Sequence, residues 1–115
     1  MEQESRLIVA GIDVHKKMLA VVLVDADDPQ TALGQAKFGT TVDDIEQLTA
    51  WLQAHQVGVA VMESTAQYWK PVWLALEQVG LPAHLAQAQS NAAPKGRKGD
   101  FRDALRLARR FLAAE

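Results

Sequence analysis

Two nearly continuous apolar runs, Leu7 to Val14 (LIVAGIDV) and Leu19 to Val24 (LAVVLV), restrict the fold more than any other feature of this 115-residue chain. Each run has strand length and neither alternates with polar residues, so both faces of each strand must be covered. Little more than the polar patch His15-Lys16-Lys17 separates them, and so short a connection makes the pair antiparallel. One residue breaks the apolar pattern. Asp13 places a carboxylate where a buried central strand should hold only hydrocarbon, and such a charge must be paired, hydrogen-bonded or metal-bound.

The rest of the chain supplies the layers that would cover this pair. Ala36-Lys37-Phe38 reads as part of a third, edge strand after the turn signal Asp27-Asp28-Pro29. Thr41 is a helix N-cap followed by Asp43, Asp44 and Glu46, and Ile45, Leu48, Thr49 and Leu52 carry that helix to about His55. Val57 to Met62 (VGVAVM) is a fourth buried strand with Glu63 at its C-terminal end. A second helix spans roughly Tyr68 to Val79, ended by Gly80 and Pro82, and Ala83 to Ala86 can form a short fifth strand. Gln87 to Gly99 reads as a polar loop, and a last helix runs from Asp100 through Leu112 on an apolar stripe of Phe101, Ala104, Leu105, Ala108 and Leu112. The order β-β-β-α-β-α-β-α, antiparallel first and parallel afterwards, predicts an α/β fold with a mixed five-stranded sheet and flanking helices, the RNase H-like arrangement.

In that arrangement the first and fourth strands are neighbours, which brings Asp13 and Glu63 together near the sheet centre. Asp100 and Asp103 are three apart in the last helix, share a face, and flank its buried stripe. Four carboxylates arriving from two strands and a helix repel one another, and hard divalent cations are the natural remedy. Such a set can hold two Mg2+ or Mn2+ ions for phosphoryl chemistry. Taken singly each acid has a plainer reading: Asp13 as a cap, Glu63 as a capping acid after a strand, Asp100 and Asp103 as acids favoured by a helix N-terminus.

Charge is unevenly placed along the chain. Residues 1–94 hold five Lys/Arg against eleven Asp/Glu, whereas residues 95–115 hold seven against three. Lys95, Arg97 and Lys98 precede the last helix, and Arg102, Arg106 and Arg109 form a basic stripe along it, a patch suited to a phosphate backbone. His15, two residues past Asp13, should share its face and could meet a scissile phosphate or position water. Tyr68, Trp69 and Trp73 could stack bases, but Trp73 reads as core. There is no cysteine, which excludes thiolate metal sites and disulfides. The acidic N-terminus lacks a signal peptide, and no apolar run approaches the roughly 18 residues of a membrane span, so a cytoplasmic, membrane-free protein is expected.

Three segments, GIDVHKK (Gly11–Lys17), MESTAQYW (Met62–Trp69) and GRKGDFRDALRLA (Gly96–Ala108), resemble the DEDD transposase family of bacterial insertion sequences, which includes Piv-type invertases. The resemblance covers nearly all of the chain but only the N-terminal, RuvC-like part of the family's protein. It implies that Asp13, Glu63, Asp100 and Asp103 form a catalytic, metal-binding tetrad for Mg2+-dependent cleavage and joining of DNA strands. It further implies a structured RNA from the element as a guide, a homo-oligomer for the full-length protein, and a C-terminal domain bearing a serine nucleophile beyond residues 1–115. The chain departs from the family at Gly99, where a Thr is frequent, and at Ala66, where a Gly is common. Two other classes are open. One is a non-catalytic nucleic-acid-binding remnant or fragment of the same fold. The other is an actin-like ATPase lobe, which would need a Gly/Thr-rich phosphate turn where this chain has Val14-His15-Lys16-Lys17.

Overall fold

The computed structural model describes residues 6–86 and 100–114. It contains strands β1 (Ile8–Val14), β2 (Leu19–Asp25), β3 (Asp28–Phe38), β4 (Val59–Ser64) and β5 (Ala83–Leu85), with helices α1 (Val42–Ala54), α2 (Trp69–Gln78) and α3 (Asp100–Ala113). The strands form one sheet in the order β3-β2-β1-β4-β5. The β1–β2 and β2–β3 pairs are antiparallel, and the β1–β4 and β4–β5 pairs are parallel. This is the mixed sheet and element order expected from the sequence.

Side chains alternate across the sheet, so each central strand feeds two cores. Ala10, Ile12 and Val14 of β1 and Leu19, Val21 and Leu23 of β2 meet Ile45, Leu48 and Leu52 of α1 and Val72 and Leu76 of α2. Val9, Val22, Val24, Val59 and Val61 point the other way, onto Ala104, Leu107 and Ala108 of α3. Covering both faces explains why the strands read as unbroken apolar runs. The α1 start is a full capping box: the Thr41 hydroxyl accepts from the Asp44 amide, and the Asp44 carboxylate accepts from the Thr41 amide.

Three local features differ from expectation. β3 contains the expected segment Ala36-Lys37-Phe38 and runs back to Asp28, eleven residues in all, because an edge strand is held by backbone pairing with β2 while most of its side chains face solvent. The hairpin turn falls at Ala26-Asp27, where the Asp25 carboxylate accepts from the Asp27 amide, and Pro29 is accommodated within the edge strand. On α3, Leu107 is buried with Ala104 and Ala108, while Phe101, Leu105 and Leu112 lie at the margin of that core. The expected loop from Gln87 to Gly99 lies outside the described residues. Among the described residues, no helix is long and apolar enough to cross a membrane.

Candidate metal centre

Sheet register sets the site. Asp13 of β1 pairs with Glu63 of β4 on one side and with Ala20 of β2 on the other, and Ala20 in turn pairs with Lys37 of β3. Partners in register point to the same face, so Lys37, Asp13 and Glu63 form one transverse row. Val9 belongs to the α3-side core, and Asp13, four residues on, has the same parity. The row therefore lies beneath the first turns of α3.

Gly11 brings the helix down. A Cβ at this position would collide with the Ala104 carbonyl oxygen and sit 3.1 Å from the Ala108 nitrogen. Glycine opposite two alanines on α3 thus permits backbone contact between β1 and the helix. One residue before Ala104, Asp103 is lowered toward the row of strand residues.

The carboxylates differ in surroundings. Asp13 is 7% exposed, and His15 Nε2 lies 3.0 Å from its Oδ2. Burial raises the Asp13 pKa above its ordinary value, His15 opposes that shift, and the negative charges of Asp103 and Glu63 add to it. Carboxylates from two other elements, Glu63 and Asp103, thus bear on the buried Asp13. Glu63 and Asp103 also share a cation: Arg106 Nη2 stands 3.9 Å from Glu63 Oε1 and 3.6 Å from Asp103 Oδ1. The Arg106 Nε is buried and, among the described residues, has no hydrogen-bond partner. Asp100 is turned toward Lys37, whose Nζ lies 3.3 Å from Asp100 Oδ2 and 5.4 Å from the centre of the Phe101 ring.

Three of the four expected acids are thus brought together, and the fourth is held at the rim by a lysine. As the side chains stand, no group of three or more His, Asp or Glu among the described residues is close enough to hold an ion. The donor set nonetheless fits a hard divalent cation. It consists of carboxylate oxygens alone, centred on a buried Asp13 whose charge is disfavoured until a cation offsets it.

The basic stripe expected along α3 is divided. Arg102 and Arg109 are exposed, but Arg106 is half-buried and drawn inward by Glu63 across the gap and by Asp103 one turn back. Lys95, Arg97 and Lys98 lie outside the described residues. Trp73 packs against the α1–α2 core as expected, and Trp69 joins it edge-on at 5.8 Å. Lys37 was not singled out from the sequence. Strand parity was the available signal, since Lys37 sits between Ala36 and Phe38 on a strand whose other face meets the α1 core.

A sequence model of the IS110-type DEDD transposases, described as a transposase family, matches residues 10–114. No curated protein sequence matches the chain. Among solved structures, the chain is similar to a Fowlpox virus resolvase in complex with substrate Holliday junction DNA, with TM-score 0.68 and 8% identity over 93% of this chain and 99% of that one. A second Fowlpox virus Holliday junction resolvase structure matches with TM-score 0.55 and 14% identity, over 85% of this chain and 67% of that one. The large terminase nuclease of thermophilic phage G20c matches with TM-score 0.54 and 14% identity over 70% of this chain and 44% of that one. At such identities the likeness is one of fold, and the fold is RNase H-like.

Proposed function

Because this chain belongs to the DEDD transposase family, we propose that it is the metal-binding catalytic domain of a DNA transposase, with Asp13, Glu63, Asp103 and Asp100 as ligands for Mg2+ or Mn2+. The observation that carries this reading is the register pairing of Asp13 with Glu63 beneath α3, with Asp103 near enough to raise the Asp13 pKa. A divalent ion bound there supplies Lewis acidity to phosphodiester cleavage and transfer. Asp13 is the central ligand because it is the buried member of the set, and His15 fixes its carboxylate through Oδ2. Asp100 joins the set by leaving Lys37. Arg102 and Arg109, exposed on α3, meet the phosphate backbone of DNA, together with Lys95, Arg97 and Lys98 before the helix. A structured RNA of the element, a homo-oligomer and a serine-bearing second domain belong to the same proposal for the full reaction.

Titration of the chain with Mn2+ tests the assignment. Wild type should bind, and Asp13→Ala should lose most of the affinity. Equal binding by both proteins would remove Asp13 from the site. A Mg2+-dependent nick in branched DNA that disappears in Asp13→Ala would establish catalysis. DNA binding without metal-dependent cleavage, by this chain and by its full-length parent, would instead favour a non-catalytic binding module.

A further inference from the structure

Every carboxylate of the candidate centre faces a basic side chain of the same chain. Asp13 has His15, Asp100 has Lys37, and Glu63 and Asp103 share Arg106. Arg106 stands out among these partners, because its guanidinium lies between carboxylates contributed by β4 and α3, two of the proposed metal ligands. The geometry points to Arg106 as a resident counter-cation that occupies the centre in the metal-free protein and is displaced when a divalent ion binds, with Lys37 playing the same part for Asp100. This inference rests on the metal reading given above.

Two properties suit Arg106 to displacement. Its contacts at 3.6 and 3.9 Å are ion pairs without hydrogen-bonding distance, so no bidentate fork locks the guanidinium in place. Its Nε is buried with no acceptor among the described residues, a deficit that is removed once the side chain swings into water. The Arg106 side chain is 42% exposed, so the way out to solvent is open. The arrangement also accounts for the absence, among the described residues, of a ready three-ligand group: carboxylates drawn toward separate cations do not converge. Glu63 and Asp103 face the same guanidinium, so in the absence of metal the chain itself supplies a cation between them.

The consequence is competition. Arg106 stabilises the metal-free protein and weakens its apparent affinity for metal, because a ligand gains only the difference between the two occupied states. Isothermal titration of the full chain with MnCl2 should therefore show Arg106→Gln binding about threefold to fivefold more tightly than wild type, the scale set by a partly exposed ion pair. Arg106→Lys, which keeps the charge, should stay close to wild type, and Lys37→Gln should gain less. If wild type binds Mn2+ and Arg106→Gln binds equally or more weakly, displacement is wrong and the metal reading survives. If neither binds, both readings fall. Should Arg106→Gln fail to fold, nitrogen-15 spectra of wild type decide the matter. The Arg106 Nε–H signal should be protected from water exchange without metal and should lose that protection as Mg2+ is added. An Nε–H signal that stays protected at saturating Mg2+ would overturn the inference.

Discussion

The two faces of the sheet are built from different materials. Toward α1 and α2 the strands present Ile12, Leu19, Leu23 and Met62 against Leu48, Leu52 and Leu76, all fully buried. Toward α3 they present valines and Gly11 against alanines and Leu107. The first face fills space with large aliphatic side chains and supplies hydrophobic stability. The second face gives up volume so that helix backbone can touch strand backbone, and this close approach is what positions Asp103 over Asp13 and Glu63. Stability and site geometry are therefore assigned to opposite sides of one sheet.

The division between the two faces depends most heavily on Gly11. Gly11→Val places a branched Cβ against the Ala104 carbonyl, and helix backbone cannot yield as a side-chain tip can. We expect a loss of about 4 kcal/mol, above the usual cost of overpacking because α3 itself must lift, together with loss of Mn2+ binding. Urea unfolding and metal titration of the same sample measure both, and wild-type values for either would refute the close-approach argument. On the opposite face, Leu48→Ala should cost about 3 kcal/mol through the cavity it leaves. Its folded fraction should nevertheless bind Mn2+ with unchanged affinity. A weaker affinity would show that the two faces are coupled.

Smaller effects sharpen the boundary between the faces. Ala66, in the turn that carries the chain from Glu63 on β4 to α2, has φ of 48°, a left-handed conformation that disfavours a side chain. Ala66→Gly should raise stability by about 0.5–1 kcal/mol in thermal or urea unfolding, the relief of strain exceeding the added flexibility of the unfolded chain. A loss of stability would mean that the Ala66 methyl group makes packing contacts worth more than the strain.

The smallest effect concerns charge. Because burial raises the Asp13 pKa in the folded state, protonated Asp13 favours folding. That contribution is complete below the ordinary aspartate pKa and is lost as pH rises through the folded value. At neutral pH, without metal, Asp13→Asn should therefore be slightly more stable than wild type, by under about 1 kcal/mol because the pairing with His15 is lost. The two proteins should converge as the pH is lowered toward 4 in melting experiments. A mutant less stable at pH 7 would mean that the His15 contact outweighs burial.

Legibility in the sequence followed the same division. Asp13 and Glu63 were visible because a charge stands out within an apolar run, and their adjacency followed from strand order. The N-cap at Thr41 was visible because it is local, whereas the return bond from the Asp44 carboxylate appears only in the structure. β3 was underread because a solvent-facing edge strand leaves no apolar alternation, and with it went Lys37, whose meaning depends on register two strands away. The inward position of Arg106 was hidden for a related reason. Helical spacing groups it with Arg102 and Arg109, and only the position of Glu63 across the interface separates them. Strand order carried one pairing between elements, but side-chain pairings that depend on register or on helix docking are written in space.

The contact between Gly11 and Ala104 also has a meaning in time. It joins the first strand to the last helix, so the span of chain to be closed is nearly the whole domain. Local pairings, such as the β1–β2 hairpin, close shorter spans and carry a smaller entropic cost. During synthesis from the N-terminus, β1 to β4 and α1 are available before α3 exists, and Asp13 can lie beside Glu63 while Asp103 has yet to be made. The centre is thus complete only at the end of assembly, when α3 docks. A nascent chain can therefore pair Asp13 with Glu63, two of the four proposed ligands, before Asp103 reaches them.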